Sequence, residues 1–223
     1  MLARDIDAGV GCGSGNAYHN TAHFCEVLLC AIAIAALAEV SDREHAIIYL
    51  AAIAHDFHHD GLPNREPYRL EKLAVEKLQP YLIEAGVAEE DRHALAAMIL
   101  STETGSGVAF ARACYEAHFQ EMRPVSTAAP QQALMPLLDQ PRLAIMAVIL
   151  CEADILPSVG LTVSHAEVTA ARLEAEWGTT LDADSKIAFI DHFVGDLRVA
   201  RYFKPNVDQV RKAFKEQNPD SKT

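Results

Sequence analysis

The sequence predicts an all-α fold, a compact multi-helix bundle, and three observations carry that prediction. Long apolar runs, Val27 to Ala38 and Ile47 to Ala54, read as core helices; the first is bracketed by Glu26 and Glu39 and, at twelve residues, is too short to span a bilayer. Elsewhere apolar residues recur at helical spacing, as in Leu70, Leu73, Ala74, Leu78 and Leu82. No stretch alternates apolar and polar residues in the two-residue period of a strand. A chain of 223 residues is long enough for one sizeable core, and nothing in it requires a second domain.

Taken in order, residues 1–17 are glycine-rich and include Gly11-Cys12-Gly13-Ser14-Gly15. They lack the preceding strand and the full glycine spacing of a dinucleotide loop, so a flexible lead-in is expected. Asn20 or Thr21 can cap the next helix, which should continue to about Val40. Ser41-Asp42-Arg43-Glu44 combines a cap with an acidic first turn and opens the helix that ends at His55-Asp56. One further turn of that helix would put His59 on the face of His55, before Gly61 and Pro63 stop it. Helices follow at about Glu66 to Ala85, Ala88 to Leu100 and Val108 to Met122. Pro124, Pro130, Pro136 and Pro141 predict an irregular connection from Arg123 to Pro141. A nearly all-apolar helix from Arg142 to Ile155 then ends in Glu152-Ala153-Asp154-Ile155-Leu156-Pro157. Helices at about Ser164 to Trp177, Ser185 to Tyr202 and Asn206 to Gln217 complete one domain over 18–217, with a frayed tail at 218–223.

The formal net charge of −12 excludes a nonspecific nucleic-acid binder, because no basic stripe is present to neutralise phosphates. For a phosphate substrate, bound cations would have to supply the positive field that the surface lacks. The five cysteines, Cys12, Cys25, Cys30, Cys114 and Cys151, form no C-x-x-C pair. With no secretion-signal pattern at the N-terminus, they read as reduced thiols of a cytoplasmic protein. No membrane contact is expected, and nothing sets the oligomeric state.

The chemistry is concentrated at three places. The apolar run Ile47 to Ala54 delivers an imidazole and a carboxylate, His55 and Asp56, at its end. Burying both without partners would cost several kcal/mol, and a metal ion resolves the conflict by taking a neutral ring nitrogen and an ionised oxygen together. His19 and His23, four residues apart, can face one space. Asp154 repeats the pattern of a carboxylate at the end of a buried helix; taken alone, each is also compatible with a hydrogen-bonded core acid.

In order and spacing, Tyr18-His19-Asn20-x-x-His23, His55-Asp56-x-x-His59-x-Gly61-x-x-Asn64 and Ala153-Asp154 resemble the HD superfamily of metal-dependent phosphohydrolases, and the longer motifs look like the catalytic domain of class I cyclic-nucleotide phosphodiesterases. The resemblance covers roughly residues 14–203. It implies that His23, His55, Asp56 and Asp154 bind one divalent metal, zinc, and that Asp56 bridges to a second, magnesium or manganese. It implies hydroxide attack between the metals, with His19 as general acid toward the departing ribose oxygen; a plain helix cap is the alternative for His19. His59 and Glu71 would act on the water network, with Glu103 as a further acid of that kind and Asn64 at the substrate. Glu174 or Glu176 looks similar to the family's partner for the general acid.

Ser185-Lys186-Ile187-Ala188-Phe189 resembles the segment in which a glutamine and a phenylalanine hold the purine, with Phe189 at the stacking position. Lys186 stands where the glutamine is expected, and an ammonium only donates hydrogen bonds whereas an amide also accepts. Lys186 is therefore assigned either to a further phosphate or carboxylate or to solvent, and Phe189 either to stacking or to the core. The implied activity is hydrolysis of a small phosphoester, a cyclic-nucleotide phosphodiester first. A phosphohydrolase of linear nucleotides and a catalytically silent metal- or ligand-binding signalling module are the alternatives.

Overall fold

The computed structural model describes residues 2–11, 15–120, 129–194 and 197–217. In chain order the helices are α1 (Leu2–Asp7), α2 (Thr21–Ala35), α3 (Asp42–Ala54), α4 (Arg69–Glu84), α5 (Glu89–Ser101), α6 (Gly107–Phe119), α7 (Pro141–Val159), α8 (Val163–Trp177), α9 (Ala183–Phe193) and α10 (Lys204–Glu216). Short 3₁₀ segments occur at Gln132–Leu138 and Arg201–Phe203, and there is no strand among the described residues. The all-α expectation holds.

Side-chain caps explain the starts of four helices. The Asn20 side chain accepts from the Ala22 N–H (2.9 Å), which makes Asn20 the cap of α2. Ser41 and Glu44 form a reciprocal capping box at α3, and the side chains of Thr162 and Asp182 cap α8 and α9 by accepting from the N–H groups of His165 and Ser185.

Helix α7 is the axis of the bundle, because every residue from Leu143 to Ala153 is buried. It packs against α2, α3, α5, α6 and α8. Fully buried side chains such as Ile34, Ile48 and Ile149 each contribute roughly 1.5–3 kcal/mol. This packing brings the first turn of α2, the end of α3 and the middle of α7 to one end of the bundle.

Several expectations are corrected. Residues 2–7 of the supposed flexible lead-in form α1, with Leu2 and Ile6 buried in the core. Helix α2 stops at Ala35, and the rest of its apolar run tightens into three-residue turns, Leu37 N–H to Ile34 O and Ala38 N–H to Ala35 O. The helix expected over Ser185 to Tyr202 is broken after Phe193. The reason lies on another element: the buried carboxylate of Glu152 accepts from the backbone N–H groups of Arg198, Val199 (3.0 Å) and Ala200 (2.6 Å), which a continuous helix would use itself. Within the expected irregular connection, 132–138 is a 3₁₀ turn; residues 121–128 lie outside the described residues, as do residues 12–14 of the glycine-rich stretch and the tail 218–223.

Four cysteines, Cys25, Cys30, Cys114 and Cys151, are free thiols and all but Cys25 are buried. No single helix is long and apolar enough to cross a membrane among the described residues; only the bent pair α7 and α8, at 96°, matches by length and composition.

Candidate active site

His55 caps the end of α3, and its Nδ1 lies 2.9 Å from the Ala52 carbonyl oxygen, to which it donates. That bond leaves Nε2 as the lone-pair nitrogen of the neutral ring, facing away from the helix. His23, one turn into α2, and Asp154, from α7, meet it there. The Nε2 atoms of His23 and His55 lie 3.4 and 3.1 Å from Asp56 Oδ2, and each lies 3.3 Å from Asp154 Oδ1. These contacts are short but not aligned as hydrogen bonds, so both buried Nε2 atoms lack a partner. The four donor atoms surround one point instead of pairing off, which is the arrangement of a cation site.

The electrostatics agree. Burial alone would lower His55, yet the charges of Asp56 and Asp154 hold it well above its ordinary value. Burial alone would raise Asp56, yet His55 and His23 hold it well below the carboxylate range. Two carboxylates confined this closely require positive charge, which protonated imidazoles or a bound cation can supply.

His59 reaches the site by a route other than the helical face expected for it. Helix α3 ends at Ala54, and His58 takes a left-handed backbone (φ 67°). The turn is held from outside: the His58 N–H donates to Gly11 O (2.5 Å), and the Asn16 side chain donates to His59 O (3.1 Å). Gly61 is required here, since φ is +75° and a Cβ would sit 2.7 Å from Asn16 Oδ1. His59 Nδ1 accepts from the Gly61 N–H (3.0 Å), so its proton is on Nε2, and burial pushes its pKa down to about 4. The neutral ring stacks flat on His19, 3.7 Å between centroids and 16° between planes.

His19 Nδ1 lies 2.5 Å from Glu176 Oε1, while Glu176 Oε2 accepts from the backbone N–H groups of Tyr18 (2.7 Å) and His19 (3.0 Å). Glu176 is therefore the acid partner of His19. Glu174 turns elsewhere, accepting from the Leu181 N–H and pairing with Lys186 at 3.3 Å.

A cleft of 440 Å³ opens over these groups and is lined by His19, Asp56, His59, Glu71, Asp154 and Phe189 among others. Asn64 Nδ2 donates to both oxygens of Glu71 (3.0 Å each) and its carbonyl accepts from the Leu70 N–H, so Asn64 braces Glu71. Burial raises Glu71 to about 7. Glu103 lines the cleft but spends one oxygen on the N–H groups of Ser106 (2.7 Å) and Gly107 (3.1 Å), closing the turn into α6. Phe189 faces the cleft; Lys186 does not line it and lies in a separate cavity behind. Sequence reasoning passed over Asn16, Trp177 and the pair of Tyr18 and Ser158 hydroxyls (2.7 Å apart). Only the adjacency of Tyr18 to His19 hinted at any of them.

No family model matches the sequence, and no curated protein matches it. Solved structures do. The phosphodiesterase domain of the RhoPDE fusion protein from the choanoflagellate Salpingoeca rosetta superposes with a TM-score of 0.72 at 19% identity, covering 96% of this chain and 83% of that one. A second structure, the phosphodiesterase domain of Salpingoeca rosetta rhodopsin phosphodiesterase, gives 0.74 at 18% identity, with 97% and 80% covered. The chain has the phosphodiesterase-domain fold. The His and Asp cluster falls within a fold shared with both of these structures along nearly the whole chain, and it suits a divalent cation.

Proposed function

We propose that this chain is a metal-dependent phosphoester hydrolase acting on a small nucleotide phosphodiester. The observation that carries the reading is the pair of buried Nε2 atoms, on His23 and His55, left without hydrogen-bond partners opposite two carboxylates, beside a His19–Glu176 pair in the same cleft. Two imidazoles and two carboxylates form a donor set that fits zinc, so His23, His55, Asp56 and Asp154 would hold it. A second cation, magnesium or manganese, would draw on Asp56 as well. Bound cations would lower the pKa of a water and neutralise phosphoryl oxygens.

The remaining work belongs to side chains. With Nδ1 engaged by Glu176, His19 presents Nε2 to the departing ester oxygen, the position of a general acid. Neutral His59, stacked on His19, limits rotation of the ring. Asn64 acts at the substrate side through Glu71, which it holds at the cleft wall. Phe189 offers a flat apolar surface to the organic group of the substrate, with Lys186 behind it.

Metal analysis of the purified protein is expected to find bound divalent metal that is lost in Asp154→Ala. The metal-loaded protein should hydrolyse bis-p-nitrophenyl phosphate faster than the matching phosphomonoester. Full occupancy without Asp154, or no turnover of any phosphoester with zinc, manganese or magnesium, would sink the proposal.

A further inference from the structure

Asn16 precedes the motifs that pointed to the site, yet its side chain is spent on the two stacked histidines. The amide nitrogen donates to the backbone carbonyl of His19 (3.1 Å) and to that of His59 (3.1 Å), so both of its protons are used. Flipping the amide would set an oxygen against two carbonyl oxygens, which fixes the orientation of the group. The oxygen end is held by shape: it lies 2.7 Å from the place where a Cβ on Gly61 would sit, so the amide fits only because residue 61 has none. The backbone carbonyl of Asn16 accepts in turn from the side chain of Asn20 (3.0 Å), the cap of α2. One short segment therefore ties His19 and His59 to each other and to the helix that carries His23.

The tie matters because ring stacking by itself tolerates many offsets of one ring over the other. His19 and His59 lie 3.7 Å apart between centroids and 16° between planes, and a bridge between their two backbones selects that one register. With Nδ1 of His19 engaged by Glu176, the register decides where Nε2 points in the cleft. We infer that Asn16 is a positioning residue for the proton donor: by holding the carbonyls of His19 and His59 at one separation, it seats the His19 ring on the floor that His59 provides. The inference rests on the phosphoester-hydrolase reading for the use made of Nε2.

Two variants separate donation from packing. Asn16→Ala removes both donors, whereas Asn16→Asp keeps the volume and turns oxygens toward both carbonyls, so a packing role would spare it and a clamping role would not. In the metal-loaded protein, kcat on 3′,5′-cyclic adenosine monophosphate relative to kcat on bis-p-nitrophenyl phosphate should fall roughly 10- to 100-fold in Asn16→Ala. The ribose oxygen needs the proton and p-nitrophenolate does not. Asn16→Asp should fall at least as far, with bound metal unchanged in both. Through-space NMR contacts between the His19 and His59 ring protons, read in protein carrying isotope-labelled histidine, should be present in the unaltered protein and lost in each variant. An unchanged ratio, a surviving ring contact, or metal lost from either variant would overturn the inference, and one folded variant suffices to decide it. The ring contact decides alone if cyclic adenosine monophosphate is not turned over. Failure of the hydrolase reading shows separately, as absent turnover of bis-p-nitrophenyl phosphate by the unaltered protein.

Discussion

Replacing Glu176 with glutamine tests the proton-donor role of His19 with little change in shape. The Glu176 side chain is 3% exposed and accepts from three N–H groups: the ring of His19 at 2.5 Å and the backbones of Tyr18 and His19 at 2.7 and 3.0 Å. In Glu176→Gln the amide oxygen can keep the backbone contacts, but the NH₂ then faces His19 Nδ1. The ring then faces a donor where an acceptor stood, so His19 loses the contact that holds Nδ1 and orients Nε2 toward the leaving group. Losing one charge-assisted hydrogen bond of about 1.5–3 kcal/mol predicts a roughly 10- to 150-fold loss in the step that needs the proton. The loss should appear with alkoxide leaving groups, such as the ribose oxygen of a cyclic nucleotide. It should be small with p-nitrophenolate, which departs without a proton. His19→Ala should follow the same order, the double variant should be little worse than His19→Ala, and metal content should be unchanged in all three. Equal losses on both leaving groups, or an intact rate on the alkoxide substrate, would refute the reasoning.

Other consequences follow from buried groups. Because burial raises Glu71 from its ordinary 4.5 to about 7, the stability it lends the metal-free protein is full below pH 4.5 and lost as pH rises through 7, by up to about 3 kcal/mol. Urea unfolding at pH 5 and pH 8 should show this slope, and Glu71→Gln should flatten it. Glu152→Ala strands the N–H groups of Arg198, Val199 and Ala200, which should cost about 3 kcal/mol or more in chemical denaturation. Gly61→Ala forces φ +75° and a 2.7 Å contact with Asn16 on a side-chain-bearing residue. It should lower stability by about 1–3 kcal/mol and reduce activity through displacement of His59, with unchanged stability arguing against the strained turn.

Much was readable because the determinants are local. The capping box of Ser41 and Glu44 satisfies its own helix end, and the apolar run before His55 needs only the chemistry of burial to deliver an imidazole and a carboxylate into the interior. The family resemblance grouped His23, His55, Asp56 and Asp154, and in the structure one donor atom from each lies within 4.8 Å of the others. The path of His59 was not readable. Asp56-Phe57-His58-His59 is compatible with another helical turn, and what prevents it is a carbonyl on Gly11, 47 residues earlier in the chain.

The same division separates Glu176 from Glu174 and places Lys186. Two glutamates two positions apart look alike in sequence, and their difference arises from the face of α8 that meets Tyr18 and His19. The sequence by itself determined most of the helices, the caps of α2 and α3 and the residue types able to hold a cation. Which carboxylate touches which imidazole, and where the chain turns between them, only the tertiary structure decided, because those contacts join segments whose local preferences leave both outcomes open.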